Sequence, residues 1–558
     1  MHTRNAVPCR ILRSFFLLLA LWTAGGCRHD DIIEPSEQVP QAFFDLLDAA
    51  ESGRRFSGIA RTGEQTTITF TDGGTLSVPL DELFIYNCTE SSPAALTTQS
   101  TTHTWKVGQR ETGIRVVPED TDIRKCIPVY VYYTYSSLCL CLNSGRQITL
   151  RGKAQPGQGR LPVVHITTDG KRAISDKETY VPATIVFDDP DELYSDVTSL
   201  SFRMGIRGRG NTSWNMPKKS WRIKLDEKSP VFGLHQDKDW DLLANYSDKT
   251  LLRNITAMEL SRIVGMPWTP DMRSVEVYLN DAYQGVYVFA EHKEVSGHKV
   301  DIQVVTPEDN DGEAVTGGYY IEIDGSQDEP FSFWTGVGIP IMVKDPEEPT
   351  AAQKAYIRKL FSDFETTLYS DSFADPVQGY RAWIDVDSFI GFYIVQELTK
   401  NVDGNLRKSS FLSKERSGKL VMCHVWDFDI ALGNCNYFNT TWPGVTNTYE
   451  GWFIRDYIGK GRSDGWYGRL FKDPAFVDKL QRRWNELMPQ LQAIPSYIDG
   501  QAALLGSAVT RNFLTWDILG RAVWPNVAVF GSYQGELDYL KDFYTSRLEW
   551  LDREINAL

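Results

Sequence analysis

The chain lacks an excess of basic residues: 58 Lys and Arg stand against 73 Asp and Glu among 558 residues, for a formal charge of -15. A nucleic-acid backbone rewards clustered cations, so nucleic acid is excluded as a partner. Low-complexity tracts and internal repeats are absent too, which sets aside disordered and solenoid architectures. Neither the P-loop nor the dinucleotide glycine pattern occurs. After the first thirty residues no segment is long and apolar enough to cross a bilayer.

What the chain does have begins at its N-terminus. Arg4, Arg10 and Arg13 precede the apolar run from Phe15 to Trp22, and Ala24-Gly25-Gly26 leads into Cys27. The run is roughly half the ~20 residues of a spanning helix, as in a signal peptide. Residues 1–26 therefore read as signal peptide, Cys27 as a lipidation site in a lipobox-like setting, and residues 27–38 as a polar stem. The expectation is an extracytoplasmic, monomeric lipoprotein, anchored by the lipid at Cys27 to the outer membrane or cell surface. In such a compartment disulfides can persist, and Cys88 and Cys126 are candidate partners. Cys139 and Cys141, two apart, share one face of a strand and read as buried.

Hydrophobic residues make up 42% of the chain and aromatics 12%, enough for two or three domains with sizeable cores. A short helix is expected over Gln41–Ala50. Thr66–Phe70, Asp72-Gly73-Gly74 and Thr75–Val78 then spell a β-hairpin, because Asp-Gly tolerates the positive φ of a tight turn. A second hairpin runs Val129–Cys141, turns at Asn143-Ser144-Gly145 and returns over Arg146–Leu150. Residues 39–155 thus read as a small β-rich domain, and Lys153–Arg160, with Pro156 and three glycines, as a linker. From residue 160 to 558 strands and helices intermix, an α+β domain. Val275–Leu279 and Gly285–Phe289 form a hairpin across Asn280-Asp281. Ala352–Leu368, Val386–Thr399, Pro474–Leu487 and Glu536–Ile555 carry apolar residues at helical spacing.

Two clusters carry chemistry. The first is Arg207-Gly208-Arg209-Gly210-Asn211-Thr212-Ser213-Trp214, followed by Pro217-Lys218-Lys219-Ser220-Trp221-Arg222-Ile223-Lys224-Leu225. Glycines between cations allow backbone amides to approach an anion, and alternation sends Arg222 and Lys224 to one face. The reading is a phosphate cradle, with an ordinary basic surface turn as the alternative. The second is Asn401-Val402-Asp403-Gly404-Asn405 together with Trp426-Asp427-Phe428-Asp429. Carboxylates gathered so suit Mg²⁺, a hard cation, although turn acids that cap helices have the same spacing. Cys423 and His424, side by side, make a poor metal signature and read as structural.

Both clusters, in this order, resemble the RGN-S-W...PKKS-RIKL signature and the later motifs of the CotH kinase family, atypical protein kinases first associated with spore coats. Gly317-Gly318-Tyr319-Tyr320-Ile321-Glu322 and Gly433-Asn434 add to the likeness, which spans residues 180 to 558. The resemblance implies an atypical protein-kinase-like fold that uses ATP and Mg²⁺ to phosphorylate Ser or Thr of a protein substrate. By it, Asp403 is the catalytic aspartate, and Asp427 and Asp429 bind metal, with Asn405 in the place of a further ligand. Arg207, Gly208, Arg209, Gly210, Asn211 and Ser213 cover the phosphates, one of Lys218, Lys219 and Lys224 contacts them, and Glu291 pairs with that lysine. The competing expectation is a surface adhesion lipoprotein on the same scaffold with little or no catalysis. A third, a sugar-binding protein, rests on Tyr437, Phe438, Trp442, Tyr449, Trp452 and Phe453.

Overall fold

The computed structural model describes residues 41–62, 64–79, 85–87, 94–99, 102–107, 110–115, 117–133, 137–151, 161–195, 198–436, 449–456 and 464–558. The predicted signal peptide, Cys27, the stem, Cys88, the Lys153–Arg160 linker and the aromatics Tyr437, Phe438 and Trp442 lie outside them. Two units separate: residues 1–160 with 191–193, and residues 161–190 with 194–558.

In the first unit the helix α1 (Gln41–Glu51) precedes β1 (Phe56–Thr62), β2 (Gln65–Phe70) and β3 (Thr75–Pro79), an antiparallel meander. The short β4 (Ile85–Asn87) and the meander β5 (Ala94–Gln99), β6 (Thr102–Val107) and β7 (Arg110–Arg115) follow, then β8 (Pro128–Tyr133), β9 (Ser137–Leu142) and β10 (Gln147–Arg151). The stretch Val129–Cys141, expected as one strand, is split between β8 and β9. Alternation explains the packing: Leu138, Leu140 and Leu142 of β9 join Phe43, Leu46 and Leu47 of α1 in one core, while Cys139 and Cys141 are buried on the opposite face.

The second unit opens with β11 (Val163–Thr168), β12 (Val181–Asp188), β13 (Ser199–Arg209), β14 (Ser220–Ser229) and β15 (Asp237–Leu243). After helix α2 (Arg253–Val264), β16 (Met272–Leu279) and β17 (Ala282–Glu291) complete a closed barrel in the order β11-β12-β13-β14-β15-β17-β16. Neighbours run antiparallel except at the seam, where β11 and β16 are parallel. Its interior is filled by the inward half of each strand, among them Ile206, Ile223, Trp240, Val275 and Phe289. The outward half of β13, β14 and β15 is charged, and this panel forms one wall of the site.

Next come β18 (Tyr319–Ile323), β19 (Ser332–Trp334), β20 (Pro340–Asp345), α3 (Ala351–Leu368), α4 (Val386–Thr399), β21 (Ser410–Lys414) and β22 (Leu420–Val425). The strands form a second sheet, β19-β20-β18-β21-β22. Helices α5 (Trp466–Leu470), α6 (Pro474–Gln492), α7 (Ile494–Leu505), α8 (Ala508–Thr515) and α9 (Tyr533–Asn556) complete the chain. This mixture of helix and sheet is an α+β architecture. Helix α3 starts on a reciprocal capping box between Thr350 and Gln353, and α9 on Ser532, whose hydroxyl accepts from Gly535 N.

Candidate functional site

Helix α4 delivers the first acid. Its C-terminus closes at Lys400, in the left-handed region at φ 48°, and the chain then turns through Asn401 to Asp403. The Asn401 amide ties this loop to the second acid: Nδ2 donates to Asp427 O (3.3 Å), and Oδ1 accepts from Asp403 N (3.4 Å). Asp427 follows β22 at φ 68°, a conformation that Asp tolerates better than most residues, and its side chain is exposed. Asn254, near the start of α2, holds the next peptide by accepting from Phe428 N (2.8 Å). Asp429 accepts from Ser247 Oγ (3.2 Å), and its carbonyl accepts from Asn434 Nδ2 (2.7 Å).

The electrostatics of the three carboxylates are mutually unfavourable. Burial, followed by Asp427, pushes the Asp403 carboxyl up, with Lys408 and Arg407 opposing; Arg407 Nη2 lies 3.3 Å from Asp403 Oδ1. Asp429 is pushed well above the usual carboxylate range by burial, then Asp427, Asp248 and Asp403. Asp248 itself is neutralised by Arg253 at 2.6 Å, with both side chains buried. The charged forms of Asp403 and Asp429 are therefore disfavoured beside Asp427, and a divalent cation held there would relieve that repulsion. The Asn405 amide is buried too, and its Oδ1 has no hydrogen-bond partner. Hard oxygen donors of this kind fit Mg²⁺. Among the described residues no three acidic, His or Cys side chains form a ready-made cage. Mg²⁺ commonly takes one or two carboxylates and completes its shell with water and phosphate oxygens.

The opposite wall is the charged panel of the barrel. Facing residues of antiparallel strands share a side, so Arg207, Arg222 and Asp241 line up outward. Arg209, two residues along, lies 3.0 Å from Asp241 Oδ1, and its guanidinium sits 5.8 Å from the Trp426 ring, beside Asp427. Arg222 reaches Asp239 (2.9 Å), and His292 Nδ1 donates to Asp241 Oδ2 (2.9 Å). Burial drives His292 down to about 4, against the pull of Asp241. The Lys293 ammonium lies 5.1 Å from the Phe411 ring and 5.9 Å from that of Trp426. Burial lowers its pKa, and Glu322 opposes that shift.

Of the residues expected to bind phosphate, Arg209 thus lies near Trp426, the residue before Asp427, with its guanidinium paired to Asp241. Arg207 turns elsewhere: its guanidinium bonds Lys177 O and stacks over Tyr180. Gly208 answers a packing demand, because a Cβ there would lie 2.4 Å from the Trp214 ring and 2.8 Å from Asp176 O. Gly210 has φ 88°, the turn conformation, with Ser213 folded against it, and Asn211 is exposed and accepts from Lys177 Nζ (3.4 Å).

The three lysines differ, and Lys218 needs correction. Lys218 is buried, bonded to Val286 O and to Asn512 Oδ1 (3.0 Å) of α8, and burial holds its pKa well below the usual value. Lys219 donates to Trp214 O (2.6 Å). Lys224 is exposed on the strand beyond Arg222. Glu291 does not pair with any of them. It stands opposite Trp240, whose ring faces the barrel interior, whereas the cations of the panel face outward. Its Oε2 accepts from Asp271 N (2.9 Å).

Sequence reasoning missed Asp241, His292 and Lys293. The available signal was the strand end Glu291-His292-Lys293, where alternation turns the residue after Glu291 to the outer face. Of the aromatics proposed for sugar, two among the described residues are engaged in packing. Phe453 is buried with its N–H on Glu397, and Trp452 packs on Phe471 and Trp550. No curated protein matches the chain. The sequence model of one family, described as CotH kinase protein, matches residues 206–551, which contain every residue of this site.

Proposed function

The chain belongs to the CotH kinase family, and from that premise we propose that it is an extracytoplasmic protein kinase transferring the γ-phosphate of ATP to Ser or Thr of a protein substrate, or of itself. The observation that carries this reading is the meeting of Asp403, Asp427 and Asp429, with Arg209 lying near Trp426, the residue before Asp427. Asp403, on its loop, accepts a hydrogen bond from the acceptor hydroxyl and aims it at the phosphorus. Its raised pKa marks a carboxylate better able to take the proton as the new P–O bond forms. Asp427 and Asp429, with Asn405 Oδ1, would hold Mg²⁺, which when bound offsets the charge on the phosphates. Arg209, Arg222 and Lys293 supply the remaining positive charge, since phosphoryl transfer asks mainly for positioning and charge neutralisation. The exposed turn at Asn211 and Ser213 closes over the nucleotide.

Substitution separates the roles. Asp427→Ala is expected to abolish both transfer and the Mg²⁺-dependent part of ATP binding measured by calorimetry. Asp403→Ala is expected to cut the transfer rate by about 10²–10⁴-fold with ATP affinity nearly intact. Equal affinity in all three proteins, with no labelled product from the wild type, would sink the kinase reading. A second reading, a surface binding protein on this scaffold, is favoured by one observation: Glu291 faces away from the cations, so the Lys–Glu pair of protein kinases has no counterpart there. That reading predicts no rise in melting temperature with ATP and Mg²⁺.

A further inference from the structure

The last turn of α4 carries a side chain that the chemistry above does not use. Gln396 is 0% exposed, and neither its Nε2 nor its Oε1 has a hydrogen-bond partner. Its backbone carbonyl accepts from Asn401 N (3.2 Å), so the chain folds back over it immediately. Gly404 then rests on the amide. A Cβ added at Gly404 would lie 1.9 Å from Oε1, 2.3 Å from Cδ and 2.7 Å from Nε2 of Gln396. The φ of Gly404 lies outside the left-handed region, so what crowds a side chain at this position is the Gln396 amide.

The helix end that carries the amide is held in place. Glu397, the next residue on the helix, is clamped by Arg547 at 2.6 Å and by the N–H groups of Phe453, Ile454 and Arg455. The helix end is therefore fixed, so bulk added between it and the loop is taken up by the Gln396 side chain or by the loop. That loop is anchored through Asn401 to Asp427 O and braced internally by Lys408 N on Asp403 O (3.0 Å). An apolar side chain would fill the same volume without unmet hydrogen-bonding capacity. The amide has two donors and two lone pairs to offer the loop backbone or a buried water as the loop settles.

We propose that Gln396 is a positioning residue: its amide, wedged beneath Gly404, sets the height of the 401–408 loop and with it the placement of Asp403 relative to Asp427. The inference rests on the kinase reading for its effect on rate, but not for its effect on the loop. Gly404→Ala is expected to lower kcat by about 100-fold, the scale of an ~1 Å misplacement, with KM for ATP changed less than about threefold. The double variant Gln396→Ala/Gly404→Ala, which makes room for the new methyl group, is expected to recover at least about tenfold of that loss. Wild-type kcat in Gly404→Ala, or a double variant no faster than the single one, would overturn the proposal.

Should Gly404→Ala fail to fold, Gln396→Ala, which removes the wedge, decides: a kcat reduced by about tenfold in a protein still folded at the assay temperature supports positioning, and unchanged kcat refutes it. If the wild type transfers no phosphate, the kinase reading fails alone. Amide exchange over residues 400–409 of the full chain then still tests the wedge. Faster exchange in Gly404→Ala that returns to the wild-type rate in the double variant supports it, and identical exchange in all three overturns it.

Discussion

His424 shows what full burial does to a single titratable group. Its ring stacks on Phe411 with centroids 4.3 Å apart, Nε2 accepts from Tyr320 OH (2.7 Å), and Nδ1 faces Val425 O (3.4 Å). These partners suit the neutral ring, and burial pushes the pKa down to about 3. The unfolded chain takes up a proton near the ordinary histidine value of about 6.5, which the native protein refuses until far lower pH. The stability contributed is present above that value and is lost as pH falls towards 3, at about 1.4 kcal/mol per pH unit. His424→Gln, which keeps an acceptor for Tyr320, is expected to flatten the acid limb of Tm against pH in scanning calorimetry. The same scale marks a limit of the sequence. Lys218 and Arg209 stand in one basic run, yet one lies buried against α8 and the other reaches Trp426, a difference set by distant partners that local spacing does not encode.

Elements were legible where a local period exists. α3, α4, α6 and α9 match the expected helices, and the hairpins β2–β3 and β16–β17 match their turn signals. Helix α2 gave no such signal, because polar Arg253, Asn254, Thr256 and Ser261 are buried along with its apolar residues, so no amphipathic stripe marks it. Those polar residues serve the site: besides Asn254 on Phe428, Arg253 Nε donates to Ala431 O (3.1 Å) just beyond Asp429. Asp248→Ala would leave the Arg253 guanidinium buried without its partner, a change that costs about 3–5 kcal/mol. Denaturant melts should show that loss, and Mg²⁺-dependent nucleotide affinity should fall with it, because Arg253 also carries the segment that follows Asp429. The outer charged panel was half visible: alternation predicts which residues of β14 point together, but not that β15 and the end of β17 bring Asp241 and His292 beside them.

For the whole molecule, motif order over residues 206–551 revealed the family, whereas closure of the barrel, which depends on strands far apart in sequence, left no local trace. The N-terminal run ending at Cys27 is a reading from sequence alone, and Cys27→Ser tests it. The variant should accumulate as unprocessed precursor or appear in the soluble fraction, and normal processing with unchanged membrane association would refute lipidation. The barrel's parallel seam bears on how the protein is made. Val163 of β11 pairs with Glu276 of β16, so the strand made first in this unit finds its second neighbour only after roughly a hundred more residues have been synthesised. Until then β11 presents an open edge, the kind of surface on which nascent chains join one another. On the export proposed above, with the chain crossing its membrane unfolded, this waiting period falls on the far side. Yield there should depend on how fast β16 and β17 arrive and on whether a chaperone shields the edge in the interval.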